Sequence, residues 1–188
     1  MKKALLACFV LATLCTASCS NQQGETTATS KDSTGAPAMN NGKEANEERN
    51  KKTMMASVDA LNKHDVDALM KDAAPDVIDY GDGTMPPMKS KDTVVNMMKA
   101  WMTAFPDFKA DNITYAADGD VVMIASDCSG TWKGEFMGQK PTGKSFHMKD
   151  VDIFTFNDKG QFISHRSIQN MGPVFASLGM KMPEPMKK

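Results

Sequence analysis

Residues 130–144 read Gly130-Thr131-Trp132-Lys133-Gly134-Glu135-Phe136-Met137-Gly138-Gln139-Lys140-Pro141-Thr142-Gly143-Lys144. An apolar-rich run, Val121 to Cys128, enters this stretch, and an alternating run, Phe146 to Phe156, leaves it. Glycines and Pro141 between two strand-forming runs predict a long hairpin connection. Period-two patterning extends on both sides. It predicts strands at about Lys109–Ala117, Asp120–Thr131, Ser145–Asn157 and Gln161–Gln169, with turns at Asp118-Gly119 and Asp158-Lys159-Gly160.

Upstream the apolar spacing is helical. Met54, Met55, Val58, Leu61, Val66 and Leu69 recur at helical spacing, interrupted by the polar turn Asn62-Lys63-His64-Asp65. Two helices are expected, with Asp65 capping the second. Pro75 should end this unit, Val77 to Tyr80 should form a short strand, and Gly81-Asp82-Gly83 with Pro86-Pro87 should form a loop. Ser90 or Lys91-Asp92 opens a helix through Ala104, whose stripe of Val94, Met97, Met98 and Trp101 reads as a packed core face. Helices followed by an antiparallel meander predict an α+β domain.

The start of the sequence has a different character. Lys2 and Lys3, the apolar run Ala4 to Cys15, and Thr16-Ala17-Ser18-Cys19 have the anatomy of a signal peptide with a lipobox-like end, in which Thr16 replaces the usual Leu. Residues 1–18 are therefore expected to be removed and Cys19 to carry lipid. Residues 19–49, almost without large apolar side chains, are expected to be a disordered polar tether, because such a segment buries too little surface to offset its ordering entropy. The domain then spans 50–182, followed by a tail at 183–188. Of the four cysteines only Cys128 would remain in the folded part, which excludes an intrachain disulfide and a paired-cysteine metal site. Inside an apolar strand Cys128 reads as a small buried hydrophobe. Formal net charge is −1 with no basic cluster, which argues against nucleic acid. Asp76, Asp79 and Asp82 have no His at ligand spacing, so no metal is expected.

The opening stretch resembles the GTH-x-GEF-x-G-x-x-PTGK segment of SnoaL-like proteins, the polyketide ester cyclases of the nuclear-transport-factor-2-like superfamily. His64-Asp65-Val66-Asp67-Ala68-Leu69 is similar to the family's first helical hairpin, Phe105-Pro106-Asp107 to its FPD loop, and Gly160 to Asn170 with Leu178-Gly179 to its GKI-x-EHW-x-x-x-D…LG ending. The resemblance implies a cone-shaped fold in which a curved antiparallel sheet wraps helices around a central pocket. It also exposes departures: Trp132 stands for the family's His, Ser164 for Glu, Arg166 for Trp, and Asn170 for the Asp that the resemblance makes the cyclases' acid/base. Asn170 cannot take a proton, although it can hydrogen-bond. The Ser20 that follows Cys19 resembles lipoproteins of the outer membrane, so the expected location is the bacterial cell envelope, lipid-anchored and facing periplasm or surface.

A replacement set lies on the strand Phe146, Met148, Asp150, Asp152, Phe154, Phe156, where alternation puts two carboxylates among four large apolar residues. If that face lines the pocket, burial would raise a carboxylate's pKa toward that of a working base, and Arg166 on the next strand would lower it. The bland alternatives are an Asp152–Arg166 ion pair and solvated strand histidines at His147 and His165. Three functions follow. The favoured one is a lipid-anchored binding module for a small, partly apolar molecule, held by Asn170, Arg166, Trp132, Phe154 and Met148, without the cyclase chemistry or a cofactor. The second is an ester cyclase- or isomerase-like enzyme with Asp152 or Asp150 as base. The third is an interaction module that forms a homodimer through the outer sheet face, as the resemblance implies, with a vestigial pocket.

Overall fold

A computed structural model describes residues 40–181. The expected signal segment, Cys19, most of the expected tether and the C-terminal tail lie outside the described residues. Helix α1 runs Asn40–Asn62 and α2 Val66–Leu69. They are followed by β1 (Ala73–Asp79), β2 (Met88–Lys89), α3 (Lys91–Ala104), β3 (Lys109–Asp118), β4 (Val121–Thr131), β5 (Ser145–Phe156), β6 (Phe162–Ser167) and α4 (Met171–Leu178).

α1 starts at Asn40, so residues 40–49 are helical where a polar tether was expected. Their polar side chains grip turns of the sheet instead of burying apolar surface. Glu47 accepts a hydrogen bond from the Gly119 amide at 2.7 Å, and Lys43 reaches Asp118 at 2.6 Å. Arg49 donates to the Asp158 carbonyl at 3.5 Å. The ion pairs of Lys43 lie on the surface and stabilise little, whereas the carboxylate-to-amide bond closes the turn directly. Farther along, Met54 and Val58 are buried, as their spacing requires. α1 ends in the expected polar turn, and Asp65 caps α2 by accepting from the Ala68 amide at 3.0 Å.

The six strands form one curved sheet in the order β2-β1-β6-β5-β4-β3. The predicted meander is present as antiparallel β3–β4–β5–β6, while β1 joins β6 in parallel. That parallel pairing brings the first strand beside the last. Pro75 lies inside β1 rather than ending the unit before it. It is tolerated because the β1–β6 register slips between Ala73 and Ile78, leaving a stretch where a missing N–H breaks no ladder. Ser90 caps α3 as expected, accepting from the Thr93 amide at 3.4 Å.

The 130–144 connection carries aromatic side chains back onto α3. Trp132 is 1% exposed and Phe136 is buried. Phe136 packs edge-on to Trp101 and Phe105, and Phe146 completes that cluster. The Lys133 and Gly134 amides donate to the Ala104 carbonyl at 2.8 and 3.0 Å. So tight is this contact that a Cβ on Gly134 would lie 2.5 Å from the Thr103 carbonyl oxygen. α4 was not anticipated as a helix. Asn170 caps it through the Gly172 amide, Gly179 ends it at φ 76°, and Met171, Val174, Phe175 and Leu178 are buried against the domain.

Gly134→Ala is expected to lower stability by about 1–3 kcal/mol in denaturant titration, because backbone rather than a flexible side chain must move. Gly138→Ala, at φ 70° with open space around its Cβ, should lose only about 1 kcal/mol. Equal losses would mean that the approach to α3 is not the constraint.

Candidate functional site

The inward face of β5 is the floor of a cavity of about 250 Å³. Register sets its layout. Met148, Asp150 and Asp152 stand opposite Cys128, Ser126 and Ile124 of β4, and Asp152 and Phe154 stand opposite Ser167 and His165 of β6. β1 places Asp79 beside His165. Met54, Ser57 and Val58 of α1, with Val94, Met98 and Trp101 of α3, close the other side. Most of this wall is apolar, and its charged groups gather where β1, β6 and β5 lie side by side. That is the usual constitution of a small-molecule site, here slightly under the roughly 300–1,000 Å³ of drug-sized pockets.

His165 is the centre of these charged groups. Its Nδ1 lies 2.9 Å from Asp79 Oδ1 and its Nε2 2.9 Å from Asp152 Oδ1, while the ring stacks on Phe154 at 4.7 Å. Burial alone would push the imidazole pKa down, but hydrogen bonds to Asp152 and Asp79 and their charges outweigh it and raise it to about 10. His165 is thus an imidazolium donating to a carboxylate on each side. For Asp79 burial pulls upward, and the hydrogen bond and charge of His165, with the Gly81 amide at 2.8 Å, hold the carboxyl below its usual range.

Asp150 differs from both. It is 7% exposed, and its Oδ1 is buried without a hydrogen-bond partner. Burial, then the neighbouring Asp152 charge, raise its pKa to about 7 against the opposing pull of His165 and the Val151 amide. Cys128, also on the wall, is pushed up to about 11, chiefly by burial, and stays a neutral thiol.

Asp150, Asp152, Met148 and Phe154 line the cavity, as the alternation of β5 required. The other candidates do not meet them there. Trp132 is packed in the core, its indole N–H buried without a partner. Asn170 is the α4 cap, and with Arg166 it borders a shallow outer depression beside Tyr80. Arg166 lies with its guanidinium 5.2 Å from the Tyr80 ring centre, so the expected Asp152–Arg166 pair is replaced by Asp152–His165. The cause is a bulge. The β5–β6 register shifts between the Phe156–Phe162 and Thr155–Ser164 pairs, which inverts the phase of β6. Strict alternation from Phe162 would have turned Arg166 inward, whereas the bulge turns His165 and Ser167 inward. His165, expected in solvent, is the residue that sequence reasoning missed. Asp79 was missed with it, because only the parallel β1–β6 pairing joins them. His147 is exposed, as expected.

Residues 51–178 match the family of SnoaL-like polyketide cyclases. The chain belongs to this family. Among solved structures, this SnoaL-like chain is 29% identical to AclR from Streptomyces galilaeus, provisionally assigned as a hydroxylase, over 73% of this chain and 99% of that one, with TM-score 0.62. It is 24% identical to IdmH from Streptomyces antibioticus, provisionally a polyketide cyclase, over 70% and 99%, TM-score 0.56. A SnoaL-like protein from Jannaschia sp. CCS1, also provisionally a polyketide cyclase, is 20% identical over 72% and 95%, TM-score 0.63. The last two, below 25% identity, speak for the fold. A search of curated proteins gives no match.

Asp150→Asn is expected to stabilise the domain at pH 8 and to leave it nearly unchanged at pH 4. A carboxyl with a folded pKa near 7 and an ordinary unfolded value near 3.8 loses stability as pH rises between those values, and the amide does not. Thermal midpoints from pH 4 to 9 measure this; a variant destabilised at pH 8 would contradict it. His165 has the opposite sign of charge. Its contribution is complete below about 6.5 and disappears as pH rises to about 10, which should appear as a second decline in stability above pH 7, absent in His165→Gln.

Proposed function

We propose that this SnoaL-like protein is a binding module for a small, partly apolar molecule held in the β5-floored cavity. The observation that carries the reading is the make-up of the wall: an apolar chamber of methionine and aromatic side chains with carboxylates gathered on the adjoining strands β1 and β5 around His165 of β6. His165 has both ring N–H groups engaged, and Asp79 and Asp152 each hold one of them. These three groups form a fixed polar wall that needs no rearrangement when a ligand arrives, and Asp150 is left to contact it. The methionines, Met54, Met70, Met98, Met148 and Met171, suit a chamber that adapts to its occupant's shape.

A second reading is favoured by Asp150 itself. A carboxyl with a pKa near 7 in an apolar cavity is matched to general base work at neutral pH. Proton removal from carbon beside a carbonyl, the step an ester cyclase requires, would then run through Asp150, with the His165 cation offsetting charge that develops on the substrate oxygen. Asp152 is less suited to this role because His165 already engages it.

Trp101 lines the cavity whereas Trp132 does not, so ligand entry should change Trp101 emission, and Trp101→Phe should abolish the change. Phe154→Ala should weaken binding of an aromatic probe about tenfold or more while the sheet persists by circular dichroism. A ligand-induced emission change that persists in Trp101→Phe, together with unaltered affinity in Phe154→Ala, would remove the cavity from the function. Turnover of a β-keto ester by wild type, lost in Asp150→Asn with binding retained, would decide for the enzyme.

The lipobox-like sequence supports a further element of the proposal, anchoring in the cell envelope through Cys19. Cys19→Ala should move the protein to the soluble fraction, because a multiply acylated terminus holds to membranes whereas an unacylated one does not. Retention on membranes after a salt wash would count against it. No helix among the described residues is long and apolar enough to cross a membrane.

A further inference from the structure

Two acceptor oxygens on the cavity wall lack donors. Asp150 Oδ1 and Gln169 Oε1 are both buried and unpartnered, and both residues line the cavity. Gln169 spends its amide nitrogen on Ser167 Oγ at 3.3 Å, which leaves its oxygen toward the unfilled demand. Leaving a buried acceptor unpaired is unfavourable, and a site with two of them is complementary to a group that brings several N–H donors.

The charges around the cavity narrow the choice. β1 contributes Asp79, β4 the neutral thiol of Cys128, β5 Asp150 and Asp152, and β6 His165. Asp82, in the connection after β1, adds its field to Asp150. α1, α2, α3 and α4 contribute apolar side chains and the Ser57 hydroxyl. Among the described residues lining the cavity His165 is the one cation, and it is already shared between Asp79 and Asp152. An arriving carboxylate would meet like charge with no free cation to pair with, and an arriving ammonium would meet an unpaired carboxyl.

We propose that the cavity takes a small primary amine, its ammonium supplying the donors that Asp150 Oδ1 and Gln169 Oε1 lack and its apolar body lying against Met148, Phe154 and Trp101. The inference deepens the binding reading and rests on it for the ligand's location. Three probes of matched shape test it by calorimetry on the purified chain: 2-phenylethylamine, 2-phenylethanol and phenylacetate. The amine should bind at least about tenfold more tightly than the alcohol, and phenylacetate most weakly, as a hydrogen bond to a charged group outweighs a neutral one. Amine affinity should rise about tenfold or more from pH 5.5 to 8.5, because the amine stays protonated while Asp150 loses its proton. Asp150→Asn should remove about tenfold of the amine's affinity and change the alcohol's by less than about threefold. Gln169→Met provides a second variant, independent of how Asp150→Asn folds, and should weaken the amine about fivefold. Phenylacetate binding as tightly as the amine, or amine affinity indifferent to both variants, would overturn the assignment. Binding of the alcohol without the amine would overturn the ligand class alone, and binding of none of the three would overturn the cavity reading with it.

Discussion

An imidazolium held between two carboxylates joins three strands of this domain. Asp79 lies on β1, Asp152 on β5 and His165 on β6, so the pair of 2.9 Å contacts ties the first strand to the last two at the concave face. Taking such charges out of water is unfavourable, and removing one partner would leave an uncompensated buried charge. The network therefore holds only if register is kept on both sides of β6. The backbone reinforces it, since the Tyr80 amide donates to the His165 carbonyl and the Ser167 amide to the Gly81 carbonyl, each at 2.9 Å. Asp82 then accepts from the Met171 amide at 3.4 Å, which continues the chain of contacts into the start of α4.

The legible and illegible parts of this arrangement divide along a physical line. Local rules were enough for Asp65 and Ser90 as caps, for the hairpin turns, and for the inward face of β5, because an uninterrupted alternation has one phase once one residue is known to be buried. They failed at β6, where one extra residue near Ile163 reverses the phase and no glycine or proline inside the strand marks the place. They failed again at β1. A parallel partner more than 80 residues away leaves no trace in local patterning, and Asp79 therefore looked like one of several scattered acids. Residues 40–49 were misread for a related reason: composition reports the apolar surface a segment can bury, not the ion pairs and turn contacts it can reach once its C-terminal half is anchored.

The departures from the family pattern acquire a different weight once placed in space. Asn170 and Trp132 replace residues that the resemblance associates with chemistry, which made loss of catalysis the natural reading. In this chain one caps α4 and the other fills the core, and neither lines the cavity. Their identities accordingly speak to helix capping and packing. Asn and Asp are comparable N-caps, so a change between them at 170 alters a helix end while the cavity floor stays as it is. Asp150, by contrast, does line the cavity.

Asp150 stands apart from the other carboxyls of the cavity wall. A carboxyl in this position opposes folding at neutral pH, since burial and the adjacent Asp152 both disfavour its charge. The cross-strand neighbour Ser126 shares a hydrogen bond with the Cys128 thiol at 3.4 Å, and Asp150 Oδ1 has no partner. By contrast, the carboxylates of Asp79 and Asp152 on the same wall are each matched to a donor. An asparagine or an apolar side chain of similar volume would avoid the charge penalty with no change of backbone. A fold that satisfies its other cavity carboxylates yet leaves this one wanting has a polar demand that something entering the cavity can meet, whether as a bound cation or as a proton in transfer.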